Sequence, residues 1–195
     1  MDLNKILEEH KLWLNTSGEE GARANLSGED LTGVDLSGAN LSKANLSIIK
    51  LSKSNLMGAN LIRADLRGAD LSAVDLYRAN LSEACFRCAD LRGANLERAN
   101  LEEADLEWTN LSGANLIRAN LNNVCLYKTN LNNANLTNAD LTDANLINSD
   151  LTDAILEGAD LTNAILEGAD LTNAKLEGAD LRWAILEGVI GYEFK

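Results

Sequence analysis

The sequence has few of the residues from which most enzyme sites and nucleic-acid-binding surfaces are built. Its 195 residues include one histidine, three cysteines and no proline, and aromatic residues make up 4% of the chain. Basic residues are also scarce, 17 against 30 acidic ones, so the net charge is −13. Because phosphate groups bind positively charged surfaces, this balance argues against nucleic acid as a direct partner and against an anionic membrane surface. It favours a partner that is itself basic.

Long apolar runs are absent as well. No segment approaches the roughly 18 residues of a membrane span, and the N-terminal MDLNKILEEHKLWLN carries acidic residues and lacks the uninterrupted apolar stretch of a signal peptide. Cys85, Cys88 and Cys125 are an odd, small set that suits a reducing compartment better than a disulfide framework. We therefore expect a cytoplasmic protein.

The sequence contains few residues of the kinds that perform catalysis. Enzymes usually need a general acid or base, an activated nucleophile or a metal, and the one histidine, His10, falls on or beside a predicted N-terminal helix, where a surface or capping role is expected. Cys85 and Cys88 form a C-x-x-C sequence, but no second cysteine pair accompanies it, as a zinc site would need, and no βαβ pattern surrounds it. We expect no enzymatic activity, no metal and no cofactor.

What the sequence does contain is one five-residue unit, repeated without an insertion from Ala24 to Gly188. Stepping by five from Leu26 to Leu186 gives 33 positions, and all are leucine except Phe86. Alanine stands two residues before 24 of them, asparagine or aspartate usually stands directly before, and small or polar residues usually follow. The unit is A-(N/D)-L-x-x.

A period of five fits neither regular secondary structure. Along a helix, successive leucines would advance by about 140° and leave no apolar stripe. Along one strand, they would alternate between the two faces. If the chain bends after each short extended segment, every alanine and leucine can point inward, while asparagine and aspartate point outward and bond the backbone. The repeat therefore predicts a β-solenoid, with coils stacked at about 4.8 Å.

The A-(N/D)-L-x-x unit resembles the repeat of the pentapeptide repeat proteins. The resemblance covers residues 24–188 and implies that family's fold: an all-β solenoid, wound as a right-handed quadrilateral β-helix with four units per coil. For this chain it implies about eight four-sided coils and a rod of roughly 38 Å at the strand spacing. Residues 1–23 would be a helical cap and linker, and residues 189–195 a C-terminal tail, within a single structural domain.

The two ends interrupt the repeat. Apolar residues with helical spacing follow a potential N-cap, Asp2, and predict a helix from about Asp2 to Leu14 that covers the first coil, with a linker over residues 16–23. At the other end, Tyr192 and Phe194 can fold back as a plug or join a second molecule end to end. Some members of the resembling family dimerise through this end, so monomer and C-terminal dimer both stay open.

Residues twenty apart should stack on one side of a four-unit coil, which predicts ladders of like side chains. An aromatic pair on adjacent coils, beside Lys128, is a candidate interface. A basic column and two acidic columns, the second expected near the first, are further candidates. The candidate partner-binding residues are Trp108 and Tyr127; Arg78, Arg98 and Arg118; Asp140, Asp160 and Asp180; and Asp150 and Asp170.

Negative charge is concentrated towards the C-terminus. Residues 129–195 hold 3 basic and 12 acidic residues, a net of −9 against −4 for residues 1–128. At the strand spacing this is about one charge per 1.8 Å, close to the roughly 1.7 Å of duplex DNA. Some proteins of the resembling family mimic DNA, bind DNA gyrase or topoisomerase IV and confer quinolone resistance. This chain departs from them: its core is leucine at nearly every position, no loop interrupts its coils, and its acidic surface covers only the last third.

These observations favour a non-catalytic, rigid scaffold that presents ladders of side chains to an unknown protein partner. Two alternatives stay open. One is a DNA mimic that binds a type II topoisomerase through its acidic columns. The other is a structural protein that assembles end to end through Tyr192 and Phe194.

Overall fold

Each five-residue unit makes one bend. In the computed structural model, which describes residues 2–192, the second residue after every repeat leucine has a positive φ, for example 66° at Gly38 and 58° at Arg98. The amide of the next alanine donates to the carbonyl of the leucine before the bend, as Ala44 does to Leu41 at 3.0 Å. These are features of a type II turn, whose third residue is left-handed. The bend predicted for each unit is confirmed.

Successive coils pair in parallel, and the partners are twenty residues apart. The first bridge joins Asn25 to Asn45, and the last joins Asp170 to Ile190. A twenty-residue offset holds four five-residue units, so residues with the same place in the coil stack in columns. The chain is a β-helix solenoid. Within residues 2–192 each pairing is a single bridge and not a longer strand, because the bends consume much of each unit.

The core is a stack of leucine and alanine side chains along the solenoid axis. From Leu41 to Leu171 the repeat leucines are at most 1% exposed, and Phe86 is fully buried in one of these positions. Where threonine or serine replaces the alanine, its hydroxyl donates to a core-residue carbonyl: Thr109 Oγ1 donates to the carbonyl of Phe86 at 2.8 Å. Burying a hydroxyl costs free energy unless it is hydrogen-bonded, so this bond explains how the core accepts a polar residue.

The outward asparagines and aspartates brace each bend from outside. Their Oδ1 atom accepts the amide hydrogen of the residue two positions on, as Asn60 does at 3.2 Å and Asp160 does at 2.9 Å. Asparagines of one column also bond along the rod: Asn120 Nδ2 donates to Asn100 Oδ1 at 2.9 Å. The backbone-bonding role predicted for these residues is confirmed, and its pattern is that of an Asx turn.

One helix, α1 (Leu3–Asn15), covers the N-terminal end of the solenoid. Asp2 is its N-cap and accepts an amide hydrogen of the first turn at 3.1 Å. Leu3, Ile6 and Leu7 pack against the core. The predicted capping helix is observed, shifted by one residue at each end. In the described part of the chain, no helix is both long and apolar enough to cross a membrane.

The C-terminal end of the solenoid is less covered. Leu181 and Leu186 of the last coil are only partly buried. Trp183, Ile185 and Ile190 are 73%, 48% and 55% exposed. The last coil has a neighbour on one side only, so its core leucines lack the burial that the middle coils provide.

The chain leaves the last coil through Gly191. Its φ is 73°, and a β-carbon there would lie 2.5 Å from the Thr172 backbone, so the leucine due at this place in the repeat would clash. Tyr192 is half-buried and packs against the core. Phe194 lies outside the described residues, so the plug and the end-to-end contact proposed for this pair stay predictions.

Candidate partner-binding surface

Trp108, Tyr127 and Lys128, here called the aromatic patch, lie together on two adjacent coils. The two rings meet edge to face, with their centroids 6.3 Å apart. The Lys128 ammonium lies 4.5 Å from the Trp108 ring centroid and 5.1 Å from that of Tyr127. Trp108 is 52% exposed. The twenty-residue register brings the predicted neighbours together, and the cation contacts both rings.

The bend and its hydrogen bonds set the position of the aromatic patch. Trp108 and Lys128 both follow a core leucine by two residues, with φ of 59° and 53°, so their side chains leave the rod one above the other. The Trp108 amide donates to the Tyr127 carbonyl at 3.1 Å, which fixes the vertical offset. Glu107 accepts the Trp108 Nε1 hydrogen at 3.1 Å and pairs with Arg87 at 2.7 Å. The indole is therefore oriented before any partner binds.

The arginine column, Arg78, Arg98 and Arg118, stacks on another side of the rod as predicted. Arg118 has no ion pair among residues 2–192, Arg98 has a loose one with Glu97 at 3.7 Å, and the Arg78 guanidinium lies 5.1 Å from the Tyr77 ring centroid. Five of the nine arginines, by contrast, form ion pairs of 2.5–2.7 Å. The arginine column thus retains its positive charge at the surface.

The aspartate column, Asp140, Asp160 and Asp180, also stacks, since Asp160 bridges to both of the others. Asp180 is paired with Arg182 at 2.6 Å, and the hydrogen bonds from Arg182 lower the pKa of Asp180. Asp140 and Asp160 have no ion pair within residues 2–192, and each uses one oxygen to accept a backbone amide hydrogen. Two of the three carboxylates therefore keep an oxygen free for a partner.

The second acidic column is not beside the first. Asp150 and Asp170 pair with each other, but they stand ten residues, or half a coil, from Asp140 and Asp160. They lie on the opposite side of the rod, so the expectation that the two columns are close together is wrong. Hydrogen bonds from Thr172 lower the pKa of Asp170. The negative charge of the last third is therefore distributed around the rod.

The three cysteines are free, and the surroundings of Cys85 disfavour a reactive thiol. Cys88 is exposed, Cys85 and Cys125 are half-buried, and all three are free. Asp105 bridges to Cys85 on one side and to Cys125 on the other, so two coil steps separate the cysteines, as expected. Burial raises the pKa of the Cys85 thiol and disfavours its nucleophilic thiolate. Within residues 2–192, no group of histidine, cysteine and carboxylate side chains has the arrangement of a metal site.

His10 joins the helix to the solenoid. Its side chain is fully buried, and Nδ1 accepts the Ala24 amide hydrogen at 3.0 Å. The imidazole stacks on Trp13, with ring centroids 5.7 Å apart. The capping role expected for His10 is confirmed, and the surface position is wrong. The sequence indicated this burial, because His10 follows Leu3 by seven residues and therefore lies on the same, buried face of α1.

The fold and its surface define a class of protein, a repeat solenoid that displays columns of side chains on a continuous core. The chain belongs to the pentapeptide repeat family. The family model described as "Pentapeptide repeats (8 copies)" matches residues 22–52, 54–93, 88–127, 119–158 and 154–190. The resemblance seen in the A-(N/D)-L-x-x unit is confirmed.

Solved structures of other pentapeptide repeat proteins are similar to this chain. HetL, involved in heterocyst differentiation regulation in the cyanobacterium Nostoc sp. strain PCC 7120, is 34% identical over 98% of both chains, with a TM-score of 0.40. A trypsin-treated QnrB1 variant, a plasmid-mediated fluoroquinolone resistance protein, is 24% identical over 86% of this chain and 89% of its own, with a TM-score of 0.65. The second comparison shows the shared fold. No curated protein matches the chain.

Proposed function

We propose that the protein is a non-catalytic, rigid scaffold whose aromatic patch binds a protein partner. The observation that carries the proposal is the exposed Trp108, held in one orientation by Lys128 and Glu107. Tryptophan and tyrosine supply much of the binding energy in protein interfaces, and a preorganised side chain loses little conformational entropy on binding. The net charge of −13 favours a basic partner surface around this contact.

The coils beneath the patch hold it rigid. Leu106 and Leu126 are fully buried, and their amides donate to the next coil at 2.8 and 2.7 Å. These coils have neighbours on both sides, whereas the end coils have one, so local opening should be least frequent here. A partner would therefore meet a surface that already has its bound geometry.

Partner capture with matched variants tests the proposal. The patch variant is Trp108→Ala/Tyr127→Ala. The control is Trp183→Ala/Tyr77→Ala, which removes the same two residue types at other places on the rod. We expect a protein that is retained by the wild type and the control but lost from the patch variant. Equal retention of the same proteins by all three chains would contradict the proposal.

We also propose the finer geometry of the coil: a right-handed quadrilateral β-helix of about eight coils over residues 24–188, between a cap and linker (residues 1–23) and a tail (residues 189–195). The twenty-residue bridges and the bend in every unit support four sides per coil. The free cysteines support the cytoplasmic location proposed from the sequence. A crystal structure would decide the handedness and the coil number.

The acidic C-terminal third favours a second candidate function, mimicry of DNA towards a type II topoisomerase. Residues 129–195 hold 12 acidic and 3 basic residues, and Asp160 and Asp170 stand on opposite sides of the rod. Charge distributed in this way resembles that of a duplex, whose phosphates face several directions at once. The aspartate column would contact the basic DNA-binding surface of the enzyme.

A gyrase supercoiling titration tests this second candidate, at low and moderate salt and with and without a quinolone. An Asp140→Asn/Asp160→Asn/Asp180→Asn variant removes the column. A control with Glu97→Gln/Glu102→Gln/Glu103→Gln removes three acidic charges outside it. Inhibition or drug protection that is lost only in the column variant supports mimicry. Gyrase activity that stays unchanged at micromolar protein refutes it.

The open C-terminal coil favours a third candidate function, end-to-end assembly. Trp183, Ile185 and Ile190 are exposed there, next to the tail that contains Tyr192 and Phe194. Sedimentation of the full chain and of a chain ending at residue 190 tests it. Oligomers that persist without residues 191–195 would contradict a role for Tyr192 and Phe194.

A further inference from the structure

The aromatic patch is one end of a longer row of apolar side chains that crosses one face of the rod. From Trp108 towards the C-terminus, each following coil adds one apolar side chain to this face, and the last coil adds two. The row, here called the apolar stripe, consists of Trp108, Tyr127, Ile147, Ile165, Ile185 and Trp183. Trp108, Ile185 and Trp183 are 52%, 48% and 73% exposed, and the others are half-buried. Extended apolar surfaces of this kind mark interaction sites.

The fold does not require apolar residues at these positions. In earlier coils the column of Tyr127 and Ile147 is polar. It holds Ser27, Ser47, Arg67, Arg87 and Glu107. Ile165 and Ile185 stand where most units have asparagine or aspartate, so they cannot accept the amide hydrogen that braces the bend, as Asp160 does. The stripe gives up these hydrogen bonds and its side chains stay at the surface, which indicates a role in binding.

The spacing of the apolar stripe fits an α-helix. The stripe advances by one coil per step, about 4.8 Å, and also drifts across the face from the bend of Trp108 to the bridge position of Ile185, so its steps are about 5 Å long. One side of an α-helix repeats at about 5.4 Å, whereas one face of a strand repeats at about 6.7 Å and would soon be out of step. Four steps, about 20 Å, match a helix of about 14 residues.

Acidic side chains flank the C-terminal half of the apolar stripe on both sides. Glu167 and Glu187 follow Ile165 and Ile185 by two residues on the same face, and both are exposed. Asp143 is exposed at the bend on the other edge of this face. None of these three carboxylates forms an ion pair within residues 2–192. Their charge complements a partner that carries lysine or arginine beside its apolar residues.

We propose that the apolar stripe binds an amphipathic α-helix of a protein partner, about 14 residues long, with lysine or arginine on both sides of its apolar face. The inference rests on the function proposed above, because the aromatic patch is one end of this site, and it adds the class of partner. Trp108 and Tyr127 would contact one end of the helix, and Ile185 and Trp183 the other. The net charge of −13 would attract such a helix at long range.

Fluorescence anisotropy with labelled model peptides tests the class of partner. The helical peptide has about 14 residues of leucine and lysine, with the leucines at helical spacing. The alternating peptide has the same composition, but its leucines and lysines alternate as in a strand. A third peptide has the helical pattern with glutamate in place of lysine. Because the first two peptides carry the same charge, they separate the fit of a helix from simple attraction to an acidic protein.

Matched variants of the full chain locate the site. The stripe variant is Ile165→Asn/Ile185→Asn. The control is Ile155→Asn/Ile190→Asn, which makes the same two exchanges at bridge positions on other faces of the rod. The fold accepts these exchanges, since asparagine occupies bridge positions in most coils. Circular dichroism verifies the fold of each chain, and the patch variant described above is measured alongside.

We expect the wild type and the control to bind the helical peptide at least about tenfold more tightly than the alternating peptide, and the glutamate peptide most weakly. The stripe variant and the patch variant should each bind the helical peptide at least about tenfold more weakly than the wild type does. Circular dichroism of the complex should show that the bound peptide is helical.

Several results would overturn the inference. A wild type that does not bind the helical peptide at micromolar protein would do so. Equal binding of the two lysine peptides would show attraction by charge alone, and unchanged binding by the stripe variant would place the site elsewhere. Sedimentation examines the other occupant: a wild-type oligomer that is lost in the stripe variant would assign the stripe to a second copy.

Partner capture separates this inference from the function on which it rests. A natural partner that is lost from the patch variant but retained in full by the stripe variant would leave the proposed function standing and overturn only this inference. A natural partner that is lost from both variants, and from neither control, supports both.

Discussion

At the residue scale, the bend position decides what each repeat tolerates. The second residue after every core leucine is left-handed, a conformation that glycine and asparagine adopt easily and that β-branched residues resist. The chain places glycine or asparagine at many of these positions, but Ile48 stands there with φ 50° and 64% of its surface exposed. Its side chain gains little burial in return, so Ile48 is a local source of strain.

Replacement of Ile48 by asparagine should therefore stabilise the protein, by about 1 kcal/mol, because it removes the left-handed strain. Chemical denaturation of Ile48→Asn against the wild type measures the change. Asn148→Ile is the matched reverse change in the same column, at φ 56°, and should destabilise by a similar amount. Equal stability of all three chains would show that isoleucine occupies the left-handed bend position without a measurable cost in free energy.

At the scale of the element, one helix closes one end of the solenoid and depends on a neutral histidine. His10 Nδ1 must be unprotonated to accept the Ala24 amide hydrogen. Burial lowers the pKa of His10, and Arg23 lowers it further, against an opposing effect of the nearby Ser42 backbone. Nε2 is buried and has no hydrogen-bond partner among the described residues. A proton on His10 would therefore loosen the junction.

The docking of α1 should weaken in acid. Because the pKa of His10 is lower in the folded than in the unfolded chain, its contribution to stability is complete above the ordinary value of 6.5 and declines as the pH falls below it. Fluorescence of Trp13, which stacks on His10, reports the change in a Trp108→Phe/Trp183→Phe background.

His10→Gln is the control for this titration. Its side-chain oxygen can accept the same amide hydrogen, and it does not titrate between pH 5 and 7. The fluorescence change expected as the pH falls below 6.5 should therefore disappear in this variant. A transition that persists unchanged in His10→Gln would assign the acid sensitivity to the carboxylates.

At the scale of the whole molecule, stability should vary along the rod. A middle coil has two neighbours, whereas the last described coil has one and buries its leucines only in part. In repeat proteins, the free energy of unfolding is close to the sum of the intrinsic stability of each repeat and the energy of its contacts with neighbouring repeats. The C-terminal coils lack such contacts on one side, so they should open first. The same exposed end is where end-to-end assembly would occur.

The position of a core mutation should thus determine its cost. Leu116→Ala, in the middle of the stack, should destabilise by about 3 kcal/mol through the cavity that it leaves. Leu186→Ala, in the partly buried last coil, should cost about 1 kcal/mol. Denaturant titrations measure both, and native-state hydrogen exchange should show slower exchange in the coil of Leu116 than in that of Leu171. Equal destabilisation by the two substitutions, together with equal exchange rates in the two coils, would mean that the solenoid unfolds as one unit.

Sequence reasoning reached most of the fold because the repeat is local and regular. The inward leucines, the outward asparagines that bond the next amides, and the N-cap at Asp2 each follow from residues within one or two units. Burial of His10 was missed, although its helical spacing from Leu3 indicated it. The opposite placement of Asp150 and Asp170 was also missed. Residues twenty apart were assigned to columns, but the positions of the two acidic columns around the coil were not compared with each other.

The sequence by itself determined which residues face the core, where the chain bends and which end carries a helical cap, since each depends on a neighbour a few residues away. The tertiary structure showed that bridges join residues twenty apart, which the five-residue period does not determine and only the family resemblance had indicated. It also showed that five arginines form close ion pairs, while within residues 2–192 Arg118 forms none and Arg98 only a loose one. The physical reason is distance along the chain. A bend is set within five residues, but closure of a coil and pairing between coils depend on how successive turn angles add up over twenty.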